Sequence, residues 1–262
     1  MRRYTRTDPL GKTGALSCHA FSAELIEGLD HSVFLLFRGY ARESIKHFAT
    51  SGRTYYSSNY RGMLQLHSST ASRIKEIPFK QADELARVGD QRAACVVLTA
   101  AWLDRVRHHS QPAEARIDHM RHRATLEQVA ERQQTYRNHE INNPRTPYEI
   151  LFSPTFRDYS LRLSNARILD IMSDEEQAMG SMANTLRDPN SSHVLVIVRM
   201  NGDNHAIATH CTGNKLHVFD PNHGEYSFKA DTGTVEESMR DIIQAYSSRF
   251  PVPEIHILPV RS

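Results

Sequence analysis

The chain predicts an α+β fold: a helical N-terminal part packed on an antiparallel C-terminal sheet. Two patterns carry that expectation. From about residue 81 to 187, apolar positions recur at helical spacing within polar, charge-rich stretches. From residue 193 onward, short β-branched and apolar runs alternate with Asn-Gly and Asp-Pro turns. With 262 residues, 39% hydrophobic and 24% charged, the chain is long enough to bury a sizeable core.

The elements follow in order. Residues 1–18 hold Pro9, Gly11 and Gly14 among basic residues and read as a flexible arm. Residues 19–262 read as one domain, helical to about 190 and sheet from 191 to 262. Residues 32–40 form an apolar run of strand length, and 50–70, rich in Ser, Tyr and Gly, read as irregular. Residues 81–88 are a short helix, broken at Gly89-Asp90. A helix then starts at Cys95, and Leu98, Trp102 and Val106 give it one buried stripe. Pro112 ends that region. A single long polar helix is expected over 113–139, followed by a loop at 142–147. Ser173-Asp174-Glu175-Glu176 is a capping box for a helix to about Arg187. Strands are expected at 194–200, 205–211, 215–219, 226–229 and 254–260, with an amphipathic helix over 235–250 whose Met239, Ile242, Ile243 and Tyr246 share a side.

Bulk properties exclude several classes. A formal net charge of +2 is too small to imply nucleic-acid binding. No run of about 18 apolar residues suggests a membrane span. The basic start, Met1-Arg2-Arg3, is followed by no apolar run, which argues against a secretory signal peptide. Three cysteines, Cys18, Cys95 and Cys211, match neither a disulfide framework nor a metal knuckle. Asp118, His119 and His122 invite a metal reading, but no further ligand completes one. No metal or cofactor is expected.

Three segments carry chemistry when taken together. Cys95 heads an apolar helix, where the helix dipole and free N–H groups favour a thiolate. His205 begins a strand, in His205-Ala206-Ile207-Ala208. Asp220 ends the next strand, one hairpin and 15 residues (220 − 205) later, within reach of an imidazole N–H. Each alone has a plain alternative: a core cysteine, a surface histidine, a turn aspartate. Their order and spacing point to a thiol nucleophile, its general base and an orienting carboxylate.

These segments resemble the YopT-type papain-fold cysteine proteases. Cys95, Leu98, Thr99 and Trp102 fill a Cys-x-x-Leu-Ser/Thr-x-x-Trp helix. His205 is followed by Ala-Ile and a small residue. Residues 219–225, Phe-Asp-Pro-Asn-His-Gly-Glu, match the aspartate motif, and the Cys-to-His interval of 110 residues (205 − 95) is similar to the family's. The resemblance runs from about Gly89 to Phe228. It implies a papain-like fold, a Cys95-His205-Asp220 triad, no cofactor, and a monomeric bacterial effector that cleaves a host protein. Delivery is expected without a classical signal peptide, as in type III secretion, to the host cytosol. An oxyanion side chain is expected a few residues upstream of the cysteine, where Gln91 is the candidate and Asp90 a poor substitute. Some relatives cleave their own N-terminus and are acylated there. Gly14, with Cys18 beside it, would be the matching lipidation sites, and membrane association would depend on that processing. The same triad would also serve an acyltransferase, transglutaminase or deamidase, and a non-enzymatic binding module is the third reading.

Overall fold

A computed structural model describes residues 75–90, 92–109, 111–200, 204–247 and 251–261. The arm, the run at 32–40, the stretch at 50–70 and the 201–203 turn lie outside the described residues, as do Gly14, Cys18 and Gln91. In chain order the elements are β1 (Lys75–Pro78), α1 (Gln81–Ala86), α2 (Cys95–His109), α3 (Ala113–Arg121), α4 (Arg123–Asn142), α5 (Tyr148–Arg157), β2 (Arg162–Leu163), β3 (Arg167–Asp170), α6 (Glu175–Leu186), β4 (Ser192–Val198), β5 (His205–Thr212), β6 (Lys215–Asp220), β7 (Gly224–Lys229), α7 (Thr232–Ser247) and β8 (Glu254–Arg261).

The α+β expectation holds. One antiparallel sheet runs β1-β7-β6-β5-β4-β8-β2, with β3 also paired to β8. Three of its strands, β1 to β3, come from the part expected to be mainly helical. They are two to four residues long, too short to show an alternating pattern.

Helices cover both faces of the sheet. On one face Val194, Val196, Ala206, Ala208, Phe219 and Leu258 join the apolar sides of α2 to α5. On the other, Leu195, Ile197, Ile207, Val218, Ile255 and Ile257 join α6 and α7. Successive strand residues therefore enter opposite cores, which is why β4 reads as a continuous apolar run. Met239, Ile242, Ile243 and Tyr246 of α7 are buried together, as their spacing predicts.

The expected helix over 113–139 is two helices, broken at His122, whose ψ of 134° is extended. The apolar spacing explains the break. Ile117 and Leu126, like Met120 and Val129, are nine positions apart, and nine steps of about 100° place them on opposite sides of a continuous helix. The break lets all four be buried. The α6 cap shifts by one residue: Asp174, rather than Ser173, accepts the Gln177 N–H at 2.9 Å. Helix α5 has no counterpart in the sequence reading.

Candidate active site

The start of α2 is set by Ala94, whose carbonyl accepts the Leu98 N–H at 2.9 Å. Cys95 is then the first helical residue, and its own N–H has no intrahelical acceptor. The rest of the segment anchors it. Val97, Leu98 and Trp102 are fully buried, and Thr99 Oγ1 donates to the Ala206 carbonyl at 3.3 Å. That bond joins the nucleophile's helix to the strand residue next to His205. Cys95 itself keeps partial solvent exposure.

His205 opens β5, and Asp220 closes β6, its antiparallel neighbour. Both are buried, at 4% and 0% exposure. Nε2 of His205 lies 2.9 Å from Asp220 Oδ1. The Cys95 thiol acts on the same ring through hydrogen bonding and charge. The imidazole thus engages both a thiol and a carboxylate.

The loop after β6 holds the carboxylate. Asn222 N donates to Asp220 Oδ1 at 2.9 Å, and the Tyr246 hydroxyl donates to Oδ2 at 2.6 Å. Gly224, which ends the turn, has φ +128°, and a Cβ there would lie 2.1 Å from the Ile77 carbonyl oxygen. Only glycine allows β1 to approach so closely.

Electrostatics in the site are coupled. Burial acts to raise the Cys95 thiol. The hydrogen bond to His205 and its charge, with backbone bonds from Ala206 and Val96, outweigh burial and lower it. Burial acts to lower His205, but the charge and hydrogen bond of Asp220, followed by those of Cys95, raise it to about 9. Burial would raise Asp220, yet His205, His223 and Tyr246 bring it down to about 2. The directions together favour a thiolate–imidazolium pair backed by an ionised carboxylate.

Behind the site, Trp102 stacks on Phe219, with ring centroids 5.7 Å apart and planes 9° apart. Its Nε1 donates to Glu225 Oε2 at 2.7 Å. Glu225 also pairs with Arg116, and His217 Nδ1 lies 3.3 Å away. This buried network ties α2 and α3 to β6 and β7.

The structure brings Cys95, His205 and Asp220 together. Asp90, beside the expected oxyanion position, is engaged by Arg92, whose Nε and Nη2 both lie 2.8 Å from its carboxylate. Among the described residues, no group of three or more His, Cys, Asp or Glu could hold a metal ion, and no helix is long and apolar enough to cross a membrane. Two further residues touch the triad. Tyr246 reads as one more apolar position of α7, because its hydroxyl leaves no mark on the periodicity. Asn222 reads as a turn residue, although its place in the aspartate motif was a usable signal.

The chain is similar to known proteins over part of its length. The peptidase family described as Yersinia/Haemophilus virulence surface antigen matches residues 165–251. A candidate YopT-like cysteine protease of Bradyrhizobium diazoefficiens is 29% identical over 73 residues, 28% of this chain and 26% of that protein. The cysteine protease avirulence protein AvrPphB of Pseudomonas savastanoi pv. phaseolicola is 26% identical over 161 residues, 59% of this chain and 58% of that protein. The chain therefore spans about a quarter of one relative and somewhat over half of the other. The AvrPphB crystal structure superposes with a TM-score of 0.57 at 22% identity, covering 64% of this chain and 92% of that one. That likeness establishes a shared fold.

Proposed function

We propose, for a chain that carries a YopT-family cysteine peptidase domain, that it hydrolyses a peptide bond through Cys95, His205 and Asp220. One observation carries this reading: a buried imidazole bonded to a buried carboxylate and interacting with a thiol at a helix N-terminus.

The Cys95 thiolate attacks the scissile carbonyl carbon. The oxyanion that forms lies toward the helix start, where the Cys95 N–H is an available donor. His205, already protonated, gives its proton to the leaving amine, and the C–N bond breaks to leave a thioester. His205 then takes a proton from an incoming water, whose oxygen attacks the thioester carbon, and the thiolate is released. Asp220 keeps Nε2 as the fixed donor side of the ring and compensates the imidazolium charge without itself gaining a proton.

The substrate in this reading is a host protein met after delivery from a bacterium, in keeping with the avirulence name of AvrPphB. Mass spectrometry of host-cell lysate exposed to wild-type and Cys95→Ala protein tests it. New peptide N-termini made only by the wild type support hydrolysis. Glutamine-to-glutamate conversion or acylation without new termini would replace hydrolysis with another acyl transfer. No thiol-dependent change would count against an enzyme.

A further inference from the structure

The hydrogen bonds that hold Asp220 continue beyond the triad to Gln81, which the mechanism above does not use. Gln81 opens α1 and is 5% exposed. Its Oε1 accepts the Ala94 N–H at 2.9 Å, and its Nε2 donates to Asn222 Oδ1 at 2.5 Å. Its own backbone N–H donates to the Pro221 carbonyl at 2.8 Å. Ala94 is the residue before Cys95, and Asn222 is two residues after Asp220. One buried amide therefore spans the start of the nucleophile's helix and the loop that fixes the carboxylate.

The direction of every bond in this path is determined. The Asp220 carboxylate only accepts, so the single Tyr246 hydroxyl proton points to Oδ2. The Tyr246 oxygen must then accept from Asn222 Nδ2, 3.2 Å away. That turns Asn222 Oδ1 toward Gln81, so Gln81 presents Nε2 to it. Oε1 is left facing the Ala94 N–H, which can only donate. The polarity runs without reversal from Ala94 through Gln81, Asn222 and Tyr246 to Asp220. Low-dielectric surroundings strengthen such an aligned chain. Glutamate lacks the donor this path needs, methionine lacks both polar ends, and asparagine is one methylene short.

We propose that Gln81 is a positioning residue for Cys95: by bridging Ala94 and Asn222 it sets the distance and angle at which the thiol meets His205. The proposal rests on the reading of Cys95 as nucleophile. Loss of the bridge lets the helix start and the Asp220 loop drift independently. A misplacement of about 1 Å at a reacting pair can cost on the order of 100-fold in rate.

The test is the pH dependence of Cys95 alkylation by iodoacetamide in the full chain, read by mass spectrometry at the Cys95 peptide, with melting temperature measured alongside. Wild type is expected to react at about pH 6, well below the ordinary thiol range. Gln81→Met keeps the buried volume and removes both bonds. It is expected to lower the rate at that pH by about 10-fold or more and to move the midpoint upward, with the rate recovering at higher pH. Asn222→Ala cuts the bridge from its other end and is expected to act in the same direction. If Gln81→Met does not fold, Asn222→Ala decides. Variants with a wild-type profile and only a lower melting temperature would overturn the proposal and leave Gln81 a packing residue. A wild-type Cys95 inert at about pH 6 would instead overturn the nucleophile reading, and the proposal with it.

Discussion

The ring of Tyr246 lies against the ring of His205, with centroids 4.7 Å apart and planes 24° apart. The hydroxyl of the same tyrosine donates to Asp220 at 2.6 Å. One side chain from α7 therefore limits the tilt of the imidazole and fixes the carboxylate that the imidazole binds. Burial and the Asp220 charge both hold the Tyr246 hydroxyl in its protonated form. It stays a donor throughout the pH range in which the site would work.

Cys95→Ala and His205→Ala are each expected to abolish turnover, and Asp220→Ala to cut it severely. The double variants should be little worse than the singles, because the three groups act as a unit. Initial rates on a substrate found by the lysate experiment, at saturating and limiting concentration, check this. An Asp220→Ala variant with wild-type kcat would transfer the orienting role to another group.

The rate should depend on pH in a defined sense. The Cys95 thiol is lowered from 9.0 and His205 is raised from 6.5 to about 9. These opposite shifts favour the thiolate–imidazolium form, and kcat/KM should fall on the alkaline side as pH passes about 9. Folding stability is linked to the same proton. The contribution of His205 is fully present below 6.5, the unfolded value, and is lost as pH rises through about 9. Asp220→Asn removes the main cause of the raised value, so the alkaline limb should move to lower pH. A pH–rate profile of the two proteins reads both effects. An alkaline limb unmoved by Asp220→Asn would contradict the coupling.

Trp102→Ala is expected to harm folding before chemistry. The ring is fully buried against Phe219 and donates to Glu225. Truncation of such a side chain costs roughly 3–5 kcal/mol, a large share of a typical stability of about 5–15 kcal/mol. Thermal unfolding by circular dichroism checks it. An unchanged melting temperature would mean that this face of α2 does not support the core.

Much of this arrangement was legible in the residues. The strands from β4 to β8 were readable because each is six residues or longer and bounded by turn residues. Leu98, Trp102 and Val106 marked the buried side of α2, and three motifs located Cys95, His205 and Asp220. What could not be read depends on contacts between distant parts of the chain. β1 is a strand whose close approach depends on the absence of a side chain at Gly224. The contacts of Tyr246 and Gln81 depend on where α7 and α1 come to rest against the Asp220 loop.

The N-terminal arm gives a separate expectation. If self-processing accompanies the resemblance, incubated wild-type protein should acquire a new N-terminus at Gly14, while Cys95→Ala protein stays intact. Acylation at Gly14 and Cys18 would then supply the two chains that stable membrane anchoring needs. N-terminal sequencing checks it, and an unprocessed arm after long incubation of active protein would remove the idea.

The most direct measurement is competitive labelling of the three cysteines with iodoacetamide at about pH 6, in wild-type and His205→Ala protein. Cys211 is fully buried, and burial raises its thiol, whereas Cys95 is partly exposed with its thiol lowered by His205. Wild-type protein should be modified first at Cys95, and His205→Ala should lose that preference. Labelling of Cys18 or Cys211 with Cys95 inert, or a Cys95 rate indifferent to His205, would contradict a thiolate held by His205 and Asp220.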